Sequence, residues 1–364
     1  MKVKDITTSL EQWAPITLQE SYDNCGLIIG DDTLEVNNVL ITLDVTEAVI
    51  DEAIKENCEL IISHHPLIFS GLKRINTNHW LERCIVKAIK NDICVYAIHT
   101  NLDNTISGVN AKIAEKLSLT DTRILKPKYF QLLKLESFVP TKDVVIVLDA
   151  LHDAGAGKIG EYDQCSFQSE GTGVFRPLAK ANPTIGSVGK RENVEETKLE
   201  VMLPKHLKNQ VLAALFSSHP YEEVAYYLTE LQNINQEVGS GMIGRLINPM
   251  TPKDFIEYVK SKMELNVIKH TPFIAEQIQN IAICGGAGSF LLKDAIKAGA
   301  DVLITADFKY HDFFEANGEI TIIDIGHYES EVFTKHLLND FLKQKFANIA
   351  FRLSGVVTNP IIYS

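Results

Sequence analysis

The stretch NVLITLDVTEAVIDEAIKENCELIIS, residues 38–63, decides the fold. Two short, branched apolar runs flank a segment in which Ala48, Val49, Ala53 and Ile54 recur at helical spacing, which reads as strand, helix, strand. The helical pattern HWLERCIVKAIKND (79–92) and the buried strand ICVYAIHT (93–100) continue the alternation. An α/β fold is therefore expected, a three-layer core with a largely parallel sheet covered by helices on both faces. In such sheets, sites lie in the loops beyond the carboxyl ends of the strands. The adjacent His64 and His65 sit at one such end, and HTNLDN (99–104) sits at another. Side chains alternate along a strand, so the two histidines cannot both serve one site within regular strand geometry.

The pattern breaks near residue 126. From KYFQLLKLES onward, through a Gly-rich turn to the segment 197–231, the rhythm becomes β-α-β, β-α-β, as in a ferredoxin-like α+β unit. GSGMIGRLINPMTP (239–252) reads as the turn cluster that closes it. The first pattern then resumes in QNIAICGGAGSFLLKDAIKAGADVLITADF and in GEITIIDIGHYESEVFTKHLLNDFLKQKF, a strand, a loop and one long helix. Similar ends around a different middle predict a discontinuous core, 1–126 with 248–364, interrupted by an inserted domain at 127–247. Both halves of the core are expected to share one sheet.

With 45% hydrophobic and 23% charged residues, a chain of 364 residues can bury more than one folding unit. No apolar run approaches the roughly 20 residues that span a bilayer, and MKVKDITTSLEQW lacks a signal-peptide core, so a cytoplasmic protein without membrane contact is expected. The six cysteines form no C-x-x-C pair, which argues against a zinc ribbon or disulfide framework and for reduced thiols. A formal charge of −12 argues against extended nucleic-acid binding, though it leaves a small basic pocket open.

His64, His65, Asp103, His327 and Glu331 all fall just beyond expected strands. His327 and Glu331 are spaced to share a helix face if the last helix begins at Gly326. Three imidazoles and two carboxylates suit zinc, iron or manganese, and they exceed what one tetrahedral ion takes. That surplus favours two divalent ions per chain, with the adjacent histidines feeding neighbouring ions. His99 reads either as a further ligand or as a partner that holds a carboxylate. Asp307, Lys309, His311 and Asp312 in TADFKYHD suit acid–base work, phosphate contact or simply a solvated loop. ICGGAGSF matches no phosphate-binding pattern and reads as a tight turn rather than an anion cradle.

Taken together, ESYDNCGLIIG, ISHHPLIF, IHTNLDN, ICGGAGS, TADFKYHD, DIGHYESE and TNPIIY resemble the Nif-three-like dinuclear metal-binding family, the GTP cyclohydrolase type 2 homologues. The resemblance implies that His64, His65, Asp103, His327 and Glu331 are the metal ligands. Tyr22 departs from the tryptophan usual in the family, away from those positions. YDQCSFQSEGTGVFRP and SSHPYEEVAYYL resemble the PII/CutA-like insertion of the longer bacterial members, and His219 and Glu222 could line a second small site there. The family further implies a toroidal homohexamer with metal sites facing an inner cavity.

The implied activity is metal-dependent hydrolysis, either GTP ring opening or cleavage of a nucleotide or phosphoester, with Lys73, Arg74 and Lys309 as local positive charge. The alternative is a non-enzymatic ring that handles metal or regulates, with a ligand-sensing insert. An open position beside a substrate-sized pocket would separate the two.

Overall fold

In a computed structural model of the protein, which describes residues 1–364, strands β2 (Asn38–Thr42), β3 (Leu60–Ser63) and β4 (Cys94–Ala97) form as the alternating pattern leads one to expect, and a further strand, β1 (Gly26–Ile29), precedes them. Between β2 and β3 runs the helix Glu47–Lys55, capped by the Thr46 hydroxyl, which accepts from the Val49 amide. Strands β2, β3 and β4 pair in parallel, with Thr42 opposite Ser63 and Ser63 opposite Ala97. That register brings the three chain exits level. Asp44, the His64–His65 pair and His99 therefore leave the sheet at one end.

After β5 (Thr120–Pro127) come β6 (Leu132–Pro140), β7 (Ser166–Phe175), β8 (Glu192–Pro204) and β9 (Tyr226–Leu231), then β10 (Gly239–Met250), β11 (Lys269–His270), β12 (Ile278–Ala287), β13 (Val302–Ala306), β14 (Thr321–Asp324) and β15 (Ala350–Leu353). The chain divides into two compact units, Met1–Pro127 with Gln236–Ser364, and Lys128–Asn235. The first unit holds a five-stranded sheet ordered β1-β4-β3-β2-β15 and a six-stranded sheet ordered β11-β14-β13-β12-β10-β5. Both halves of the sequence thus contribute to each of two sheets, rather than to one.

Nor is the pairing largely parallel throughout. β1 joins β4 antiparallel, as do β11 with β14, β12 with β10 and β10 with β5. The last two of these pairs arise from β10, whose Gly-rich sequence reads as a turn but forms a long strand. Its glycines mark close backbone approach instead, since a Cβ on Gly239 would lie 2.3 Å from the Lys126 carbonyl oxygen. One buried cluster runs through Ile6 and Leu10 of the helix Val3–Trp13, Val39 and Ile62 of the first sheet, Ile283 and Ile304 of the second, and Leu338. Each such side chain contributes about 1.5–3 kcal/mol on burial. The expected long C-terminal helix is two, His327–Glu331 and Thr334–Lys345.

In the second unit, four antiparallel strands are ordered β7-β8-β6-β9. Helices Val144–Asp153 and Lys208–Ser218 pack on one face through Val147, Leu151, Val211 and Leu215, against Leu135, Leu199 and Val201. The opposite face carries Lys134, Glu136, Lys198 and Glu200, tied by ion pairs of 2.6–3.2 Å. No helix of the chain is long and apolar enough to cross a membrane.

Candidate metal centre

Strand β3 ends at Ser63, so His64 and His65 lie just past the regular pleat, where alternation no longer separates them. Their rings are 5.0 Å apart, and both turn toward Glu331. Glu331 Oε2 is 2.9 Å from His65 Nε2, 3.1 Å from His327 Nε2 and 3.9 Å from His64 Nε2. Asp103 Oδ1 lies 3.6 Å from His64 Nε2. Two triads result, His64–Asp103–Glu331 and His65–His327–Glu331, and His64, His65 and His99 form a third. All five residues singled out from strand ends are brought together.

Each of the four imidazoles is anchored through Nδ1. His64 is held by the Ile98 carbonyl oxygen at 2.9 Å, His65 by Asp44 at 2.7 Å, His99 by Asp23 at 2.9 Å and His327 by Asp307 at 2.6 Å. An Nδ1 proton donated to an oxygen fixes the neutral tautomer that leaves Nε2 as a lone pair, the arrangement typical of metal-binding histidines. Asp44 does not stand out in the sequence. The signal that could have found it is register, since it follows β2 at the same level as the histidines that follow β3. Asp23 also takes the Thr100 amide at 3.0 Å and the Thr100 hydroxyl. Although its burial acts the other way, the His99 and Thr100 hydrogen bonds hold its carboxyl well below the usual carboxylate range.

No lysine or arginine stands in the cluster or lines the cavity above it. His64 Nε2 and Asp103 Oδ1 are buried with no hydrogen-bond partner, although buried polar atoms are ordinarily paired. Burial and the neighbouring Glu331 charge push the Asp103 carboxyl up, whereas the imidazoles hold Glu331 low against the effect of its own burial. Burial alone would lower His65, yet Asp44 and Glu331 raise it to about 10. His327 likewise rises to about 9 against burial, through Glu331 and Asp307. Imidazoles and carboxylates converging on orphaned acceptors can hold a divalent cation, and these donors suit zinc, iron or manganese. Above them opens a cavity of about 650 Å³, walled by Tyr22, Phe69, Trp80 and Phe290.

A family model described as Duf34/NIF3 (NGG1p interacting factor 3) matches residues 1–360. The chain belongs to the Duf34/NIF3 family. A Bacillus subtilis strain 168 protein named GTP cyclohydrolase 1 type 2 homolog is 40% identical over 365 residues, covering 99% of this chain and 98% of the relative. A protein of the same name from Halalkalibacterium halodurans is 41% identical over 358 residues, covering 97% and 96%. A Bacillus cereus crystal structure described as a protein related to NIF3 superposes with a TM-score of 0.88 at 38% identity, over 100% of this chain and 99% of that one.

Other polar candidates lie outside this Duf34/NIF3 cluster. Lys73, Arg74, Lys309, His311 and Asp312 do not line the cavity. Gly286 does not cradle an anion, because its amide donates to the Ser330 hydroxyl at 2.9 Å. In the second unit, Glu222 accepts from the Asn182 amide. His219 is buried between backbone groups, with Nε2 donating to the Phe138 carbonyl at 3.0 Å and Nδ1 accepting from the Tyr221 amide at 3.1 Å.

Burial keeps the His219 pKa below its ordinary 6.5. The unfolded chain therefore binds a proton that the folded chain refuses, and stability falls as pH drops below about 6.5. Hydrogen exchange at the Tyr221 amide of the full chain, corrected for intrinsic rate, should show weaker protection at about pH 5 than at pH 7. The difference should vanish in His219→Gln.

Proposed function

We propose that the protein is a metal-dependent hydrolase holding two divalent ions, one at His64 and Asp103 and one at His65 and His327, with Glu331 shared between them. One observation carries this reading: Nδ1-anchored imidazoles and two buried carboxylates converge on the floor of an open cavity of about 650 Å³. That volume lies in the range of small-molecule sites, and it favours catalysis over metal storage, which needs no such cavity. Ions held there would act as Lewis acids and lower the pKa of a coordinated water toward neutrality. The chain's own residues keep the ligands aimed. Asp44 and Asp307 hold His65 and His327 in the required tautomer, and Asp23 holds His99 at the cavity edge. Tyr22, Phe69, Trp80 and Phe290 offer flat apolar walls to a planar substrate.

The relatives' name points to a guanine nucleotide or a related heterocycle as the substrate class. Residues 128–235 belong in this reading as a ferredoxin-like, PII/CutA-like insert, and the assembly as a homohexameric ring whose mass light scattering would test. The activity test is steady-state turnover of GTP, other nucleotides and a generic phosphodiester, with metal content measured in each sample. Turnover should vanish with chelator and return with added metal. If fully loaded protein turns over nothing across the panel, the hydrolase gives way to a metal-handling protein.

A further inference from the structure

A second cavity, of about 750 Å³, lies wholly within residues 128–235 on the sheet face opposite the helices. Lys134, Glu136, Lys198 and Glu200 on that face satisfy one another. Two cationic side chains line the cavity, Arg176 and Lys198, and Lys198 is committed to Glu136 and Glu200 at 2.9 and 2.8 Å. Glu196 is different. It is only 8% exposed, and its Oε1 accepts the Tyr221 hydroxyl at 2.8 Å. No lysine or arginine pairs with it. A buried carboxylate without a counter-ion is costly, and a site that keeps one is suited to a ligand that brings the charge.

The strand beside it makes room for that carboxylate. A Cβ on Gly173 would lie 1.9 Å from Glu196 Oε2, so a glycine is needed at this position for the carboxylate to sit where it does. Around it stand two edge-to-face aromatic pairs, Phe138 with Tyr227 and Phe175 with Tyr221, each with centroids 5.9 Å apart. Aromatic walls beside a carboxylate attract a cation through the ring quadrupole and accommodate an apolar body.

The geometry points to a binding site for a small organic cation, an amine or amidine carried on an apolar or aromatic body, with Glu196 as its counter-ion. The site is independent of the metal centre and involves none of its residues.

The test is calorimetric titration of the full chain with benzylamine, its neutral counterpart benzyl alcohol and its anionic counterpart benzoate. Benzylamine should saturate, and should bind at least about tenfold tighter than either counterpart, as a charge-assisted hydrogen bond implies. Glu196→Gln should weaken benzylamine at least about tenfold. Gly173→Ala should do the same while leaving the charge in place, because the new methyl displaces the carboxylate, and it carries the test if the first variant does not fold. Circular dichroism and metal content should be unchanged in both. The proposal is overturned if benzylamine does not saturate, if benzyl alcohol or benzoate binds equally well, or if folded variants bind benzylamine like the wild type.

Discussion

Replacing Glu331 by glutamine is expected to strip the centre of at least one ion per chain and to weaken what remains by more than about 100-fold, since even residues that only support a ligand cost 10- to 100-fold. The expectation follows from the position of one oxygen. Glu331 Oε2 lies within 3.9 Å of three imidazole nitrogens and belongs to both carboxylate-containing triads, so neither triad is complete without it. Glutamine preserves the volume and can still accept a hydrogen bond, but it carries no charge to offset a divalent ion. Metal analysis of protein purified without chelator is the measurement, with thermal unfolding of the metal-free forms as the control for fold. A wild type holding less than one ion per chain would sink the paired-ion reading, and a variant with unchanged content would remove Glu331 from it.

The strand ends were legible because parallel strands are short, apolar and separated by helical spacing, and because ligand-type residues cluster after them. His64, His65, Asp103, His327 and Glu331 could all be found in that way. Their supports could not. Asp44 and Asp307 matter only through the register that sets them against His65 and His327, and register is a property of pairing rather than of one strand. The alternation that separates neighbouring side chains holds only inside a strand, and β3 stops one residue before His64, so both histidines can face the cluster. Local composition also misled at β10, where glycine served close strand approach instead of a turn. For His219, the sequence could not distinguish a pocket residue from one whose two nitrogens both meet backbone groups.

Alanine at Gly286 should weaken metal binding in the same direction as Glu331→Gln, although it replaces none of the five clustered residues. ICGGAGS reads as a tight turn in sequence, but Gly286 lies inside β12, where the structure gives it a different task. Its φ is +61°, and a Cβ there would lie 2.4 Å from Glu331 Oε1 and 3.2 Å from His327 Cε1. The backbone cannot readily withdraw, because the Gly286 amide donates to Ser330 Oγ at 2.9 Å and its carbonyl accepts from Thr305 Oγ1 at 2.9 Å. Alanine therefore incurs about 1–2 kcal/mol of left-handed strain, and its methyl group must also displace the Glu331 carboxylate. Metal affinity should fall at least about tenfold, the lower end of what disturbed ligand support costs. Gly299→Ala separates the two effects. Its φ is +74° and a methyl group there would meet nothing within 4 Å, so it carries comparable strain and no clash. In the metal-free state Gly286→Ala should lose at least as much thermal stability as Gly299→Ala, and only Gly286→Ala should lose metal. Equal metal content in the two would mean that the Glu331 carboxylate is not held where the ions bind.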